Sequence, residues 1–198
     1  DFENHYEISL PFLRAGIPIY IDKPIATNIK DLKRIYDEQK YIGQIFSCSA
    51  IRFASEFNLD KSYLDKFGGI MKIIAIAPKD WSHYSIHIID PVLKLFNLFG
   101  NYKILSVEKY NHYGRSIEVK WNNSFNTEFI TTGEMSTEIS IEIIGNYKAE
   151  KLIFKDPFNA FKNALEEFIS GIREGNEKIT LKELHSIVKI IEEGNNIG

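Results

Sequence analysis

The stretch "NHYEISLPFLRAGIPIYIDKPIA", residues 4–26, decides how the chain is read. Its first part predicts a helix stopped by Gly16, with Pro18 just beyond the stop. Pro11 works against that helix, because an interior proline removes one hydrogen bond and kinks the backbone. "IPIYI" is apolar throughout and predicts a short buried strand, since a half-exposed strand would alternate. The strand runs into Asp22-Lys23-Pro24, a charged pair set against a turn-forming proline. A lysine at the C-terminal end of a parallel strand stands where open α/β sheets bind their ligands. Its ammonium can hold a substrate hydroxyl or, partly buried, shuttle a proton. Asp22 can contact a ribose or orient the lysine. The plainer reading, a surface lysine before a turn, is the one that Lys-Pro alone favours.

Working outward, Asn28 predicts an N-cap with Asp31 three residues on, and Ile29, Leu32, Ile35 and Tyr36 form one apolar stripe. A strand over "QIFSCSAIRF" (44–53) follows, so helix, strand, helix and strand give the rhythm of an α/β unit. After Arg52 the character changes. "ASEFNLDKSYLDKFG" (54–68) predicts a helix ending at a Gly-Gly pair, and "IMKIIAIA" (70–77) a buried strand. From 102 to 155 the period turns to two, as in Ile117, Val119, Trp121 and in Ile139, Ile141, Ile143. Gly114, Asn122-Asn123, Gly133 and Gly145-Asn146 punctuate it, predicting an antiparallel meander of about four strands. Two helices close the chain. Asp156 caps the first, whose predicted buried stripe is Phe158, Phe161, Leu165, Phe168 and Ile172. Thr180 and Glu183 form a capping box for the second, with Leu184, Ile187, Val188 and Ile191 inward. The expected fold class is α/β plus α+β, with domains at 1–43 and 44–198.

The 198 residues carry a net charge of −3 with both signs mixed, so no basic face for nucleic acid stands out. A single cysteine, Cys48, sits in an apolar run; it excludes an internal disulfide and reads as a buried structural thiol. No apolar stretch is long enough to span a bilayer and no signal peptide opens the sequence, so a cytoplasmic location without membrane partners is expected.

The second constellation is "HYSIHIID", residues 83–90. On a helix His83 and His87 lie one turn apart, with Asp90 three residues further on the same face; on a strand His83, Ser85 and His87 still share a side. A histidine is the natural acid or base near neutral pH and can take the proton of an alcohol as hydride leaves its carbon. Two histidines at this spacing also suit zinc, but a third ligand and the H-E-x-x-H spacing are missing, so no metal is expected. A purely structural pair is the further alternative. Tyr84 can donate a hydrogen bond in the same pocket. Arg52 either clamps a carboxylate or phosphate, or makes an ion pair at a domain edge.

Together "NHYEISLPFLRAGIPIYIDKPIA", "SCSAIRF" and "HYSIHIIDPVLKLFN" resemble the glucose–fructose oxidoreductase / inositol dehydrogenase (Gfo/Idh/MocA) family. The resemblance implies an NAD- or NADP-dependent oxidoreductase of a sugar, polyol or related small molecule. It implies a remnant of a Rossmann-type nucleotide domain, then a mostly antiparallel open sheet covered by helices. Lys23 matches the lysine that anchors the reacting hydroxyl, and His87 the family's acid/base or substrate-binding histidine. Asp22, Lys23 and Pro24 match the nicotinamide side; Arg52, His83, Tyr84 and Asp90 are expected to shape the substrate pocket. Two departures stand out. His83 occupies the place where many members have aspartate, and Ser85 replaces the glycine of branches with Tyr-Gly-x-His. No G-x-G-x-x-G occurs in the sequence. A dinucleotide half-site needs a βαβ unit of about 30 residues with its glycines at a helix N-terminus. The expectation is a member without most of its nucleotide domain, inactive alone and self-associating through its sheet. A non-catalytic, self-associating or sugar-binding domain is the alternative.

Overall fold

The computed structural model describes residues 2–122 and 125–196. Helix α1 (His5–Arg14) tolerates Pro11 inside it and ends as expected, with Gly16 at φ +74°. Strand β1 (Ile19–Tyr20) follows, then α2 (Ile29–Asp37), capped by the Asn28 side chain accepting from the Asp31 N–H. Strand β2 (Ile45–Phe46) pairs in parallel with β1, Ile19 opposite Ile45.

The strand expected over 44–53 stops at Phe46 because Ser49 diverts the backbone. Its N–H donates to the Asp90 carboxylate and its hydroxyl accepts from the Ile51 N–H, so a 3-10 turn forms over Ala50–Phe53. The helix expected over 54–68 is likewise broken. A 3-10 turn covers Ser55–Phe57, and the Asp60 carboxylate restarts a short α3 (Lys61–Asp65) by accepting the Tyr63 N–H.

Strand β3 (Ile70–Ala77) leads into α4 (Trp81–Tyr84) and α5 (Ile86–Phe96). The period-two region holds five strands rather than four: β4 (Tyr102–Lys109), β5 (Arg115–Trp121), β6 (Asn126–Thr131), β7 (Ser140–Gly145) and β8 (Ala149–Ile153). Asn123 of the expected Asn122-Asn123 turn lies outside the described residues. The run is not a simple meander either. The six-stranded sheet has the order β4-β5-β6-β3-β7-β8, with β3 inserted parallel to β6 and antiparallel to β7. The most apolar strand thus takes a central place, where both of its edges are paired.

Ile73, Ala75, Ala77, Ile117, Val119, Phe129, Ile141 and Ile143 point to the helix-covered face and form the main core with Trp81, Ile89, Ile187 and Ile191. By alternation Lys72, Ile74, Ile76, Ile130 and Ile144 belong to the opposite face. A second core gathers Leu13, Ile21, Ile25, Leu32, Ile35 and Phe46 with Ala164, Leu184 and Val188. The last helices, α6 (Pro157–Glu174) and α7 (Leu181–Asn195), therefore serve both cores. The Thr180/Glu183 capping box and the inward face of α7 form as predicted.

Helix α6 is turned the other way from its expected orientation. Phe158 is 76% and Phe161 58% exposed, with Leu165 and Ile172 also on the surface, while Ala160, Ala164 and Gly171 are buried. Only Phe168 of the predicted stripe packs inward, against Tyr20 and Phe46. Small residues on the inner side let α6 approach the Ala50–Phe53 turn closely, which the bulky stripe would prevent.

Candidate functional site

Lys23 follows β1 by three residues, and directly after it Pro24 and Ile25 turn into the core. His5 of α1 fixes this turn, its Nδ1 lying 3.2 Å from the Ile25 carbonyl. From there the Lys23 ammonium donates to the His83 carbonyl (3.4 Å) and lies 5.5 Å from the centre of the Tyr84 ring. Tyr84 in turn meets His87 edge-on, with ring centres 5.3 Å apart. The strand end and the histidine helix are thus brought together.

The second element is positioned by α4. Asp80 caps it, accepting from the His83 N–H at 3.0 Å and facing the His83 Nδ1 at 2.7 Å. Trp81 anchors it from below, its indole N–H donating to the Ile191 carbonyl at 2.9 Å. Gly194 makes room for this ring: a Cβ there would stand 2.3 Å from Trp81 Cε2. The helical run is interrupted at Ser85, so the two imidazoles part company. His83 is exposed and packs on Phe2, whereas His87 turns inward to Tyr84 and Ser49.

Beneath His87 lies a buried polar chain. The Ser49 hydroxyl is 2.9 Å from His87 Nδ1, and the Ser49 N–H donates to Asp90 Oδ2 at 2.8 Å. Asp90 Oδ1 accepts from Arg52 Nη1 at 3.0 Å, and Arg52 Nη2 donates to Glu183 Oε1 at 2.7 Å. The Arg52 and Asp90 side chains are 4% and 0% exposed, so both are committed to each other. Of the expected pocket residues, Lys23, Tyr84 and His87 come together, with His83 lending its carbonyl. Arg52 and Asp90 sit one layer below them. Asp22 is exposed and lines an apolar groove of about 580 Å³ along α1 and β1, shared with Ile8, Phe12, Ile17 and Tyr20.

Electrostatics separate the layers. Burial, followed by the Lys23 and Lys79 ammoniums, pushes the His87 imidazole down to about 3, so it is neutral at physiological pH. In the tautomer whose Nδ1–H donates to the Ser49 hydroxyl, the other ring nitrogen is an acceptor. Burial raises the Asp90 carboxyl while the Arg52 guanidinium opposes it. The Cys48 thiol is buried and pushed up to about 12 by desolvation, in line with a structural thiol. Among the described residues no group of three or more His, Cys, Asp or Glu could hold a metal ion. Among them, too, no helix is long and apolar enough to cross a membrane.

Three contributors escaped the sequence reading: Ser49, Lys79 and Glu183. Ser49 carried a weak signal as a polar residue in "IFSCSAI", and Lys79 as part of a Pro-Lys-Asp turn ahead of a helix.

A small parallel pair joined to a helix-backed, mostly antiparallel six-stranded sheet is a fold that this chain shares with solved dehydrogenases and oxidoreductases. Among solved structures, the chain resembles myo-inositol 2-dehydrogenase from Lactobacillus plantarum with a TM-score of 0.74 at 11% identity, over 97% of this chain and 74% of that one. The myo-inositol dehydrogenase from Corynebacterium glutamicum matches at 0.74 and 12%, over 98% and 74%. An oxidoreductase from Bacillus cereus matches at 0.76 and 11%, over 100% and 76%. No protein-family model and no curated protein matches the sequence.

Proposed function

We propose that this chain forms the catalytic and substrate-binding part of an NAD(P)-dependent oxidoreductase acting on a sugar, polyol or related small molecule. The observation that carries the reading is the approach of Lys23, three residues beyond a parallel strand, to the Tyr84–His87 ring pair. Residues 1–43 serve the cofactor side and 44–198 the substrate side.

In this reading the Lys23 ammonium donates to the reacting hydroxyl and stabilises the oxyanion as its proton departs. His87, neutral and held by Ser49, offers its free ring nitrogen as the proton acceptor, returning the proton in the reverse direction. Tyr84 packs over His87 and keeps bulk water from the imidazole. Arg52, Asp90 and Glu183 position Ser49 rather than touching substrate.

The apolar groove beside β1, ending at Asp22, suits the flat nicotinamide end of a dinucleotide. That group, when bound, supplies the hydride acceptor. The phosphates find no match among the groove residues, whose polar side chains are His5, Ser9, Tyr20 and Asp22 and include no lysine or arginine. Turnover therefore depends on a phosphate cradle other than this groove.

The test combines fluorescence titration with NADH and NADPH and a coupled assay of polyol oxidation. Lys23→Ala is expected to leave folding intact and to lower kcat/KM by about a hundredfold or more, the usual scale for a lost proton-transfer or oxyanion group. Wild-type turnover in Lys23→Ala would remove the lysine from the mechanism.

A second copy of the chain is proposed to cover the outer sheet face, where Ile76 lies opposite Ile130 and Lys72 opposite Ile144. An apolar patch rimmed by charge suits a two-fold contact.

A further inference from the structure

Lys79 touches no reacting group in the mechanism above, yet its backbone and side chain are both held in unusual ways. It follows β3 and precedes the α4 cap, with φ at +64°, a conformation that long side chains rarely adopt. Its carbonyl accepts from the Gly133 N–H at 2.9 Å, and Gly133 is itself left-handed at φ +67°. The two residues form an isolated antiparallel bridge, so the sheet fixes the strained residue in place. The side chain then folds back over the site. Its ammonium donates to the Tyr84 hydroxyl at 2.5 Å and lies 4.5 Å from the centre of the Tyr84 ring.

Two ammoniums, those of Lys79 and Lys23, consequently share one phenol above a neutral imidazole. Like charges gathered on one ring repel, and the repulsion is strongest where water is thinnest. Among the described residues neither ammonium is paired with a carboxylate, although the chain as a whole is acidic at −3. The nearest acids along the chain are otherwise placed: Asp80 is engaged by His83, and Asp22 lines the groove beside β1. What relieves two unpaired cations at the mouth of a site is an anion on the ligand.

We propose that Lys79 is a substrate-binding residue and that, with Lys23, it selects a sugar or polyol bearing a carboxylate or phosphate over a neutral one. The proposal rests on the reading of Lys23, Tyr84 and His87 as the substrate site and names its substrate class. Lys23 serves the reacting hydroxyl, and Lys79 across the Tyr84 ring takes the charged group. The Tyr84 hydroxyl, already accepting from Lys79, is the donor that completes the seat.

The test is calorimetric titration of the full chain, with and without NADH, using three probes of similar size. These are myo-inositol, myo-inositol monophosphate and glucuronate. At least one anionic probe is expected to bind about tenfold tighter than myo-inositol, the scale of one charge-assisted hydrogen bond. That margin should shrink at high ionic strength. The tighter anion of the two identifies the group as phosphate or carboxylate. Lys79→Met should erase the margin, and Lys79→Arg should keep most of it. Lys79→Gly removes the cation while suiting the left-handed backbone, so it should erase the margin with Tm unchanged or raised. Equal binding of neutral and anionic probes, no binding of either anion, or a margin that survives Lys79→Met and Lys79→Gly would each overturn the proposal. If Lys23→Ala still weakens myo-inositol in that event, the site reading stands and only the anion preference falls. Probes that bind without regard to Lys23 would remove the site reading itself.

Discussion

Ser49 holds His87 by its hydroxyl, 2.9 Å from Nδ1, and holds Asp90 by its backbone N–H at 2.8 Å. One residue therefore links the proton acceptor of the site to the buried ion pair below it. The bond to Asp90, with the Ile51 N–H donating to the Ser49 hydroxyl, also ends β2 and starts the 3-10 turn, so local backbone structure and site geometry have a common origin.

The neutral state of His87 carries a pH signature. Its folded value, about 3, lies below the ordinary histidine value, so between these two the unfolded chain binds more protons than the folded one. Stability from this residue is complete above pH ~6.5 and declines as pH falls toward 3. Denaturant unfolding of the wild type and of His87→Gln across this range should give curves that diverge on acidification, with the wild type steeper. A parallel pair of curves would mean that the imidazole titrates normally and is open to water.

The buried pair is expected to behave as a unit. Arg52→Met leaves the Asp90 carboxylate without its cation, fully enclosed, and such a change typically costs about 3–5 kcal/mol. Asp90→Asn with Arg52 intact should cost less, because the amide still accepts from the Ser49 N–H or from Arg52. The double variant should fall short of the sum, since both changes act on one bonded network. Additive losses in a denaturation cycle would show that Arg52 and Asp90 do not support each other.

Lys23 and His87 were legible because their signals are local: a charge ending an apolar strand, and an imidazole spaced one turn from another. Asp90 and Arg52 were legible as charges in apolar runs, but their mutual pairing was not, because it spans 38 residues and depends on the Ser49 turn. The sheet was legible strand by strand in its period of two. Its order was not, since the insertion of β3 between β6 and β7 is a long-range pairing that alternation does not encode. Helix α6 shows the limit of periodicity most plainly. Period 3.6 marks two faces, one bulky and one small, and the close contact with the Ala50–Phe53 turn decided in favour of Ala160 and Ala164.

The outer face of the sheet supplies the last prediction. Ile76 stands at its middle, opposite Ile130 on one side and Ser140 on the other, while Lys72 pairs with Glu128 at 2.7 Å and with Glu118 at 3.4 Å nearby. An apolar centre with a satisfied charged rim is the anatomy of a specific contact between subunits. Light scattering after gel filtration should give a dimer or larger species for the wild type. Ile76→Lys places a cation at the centre of the proposed contact and points it away from the main core, so it should yield a monomer with little change in Tm. A wild-type monomer at micromolar concentration, or an assembly untouched by Ile76→Lys, would leave this face as a free surface and shift attention to the exposed stripe of Phe158, Phe161 and Leu165 on α6.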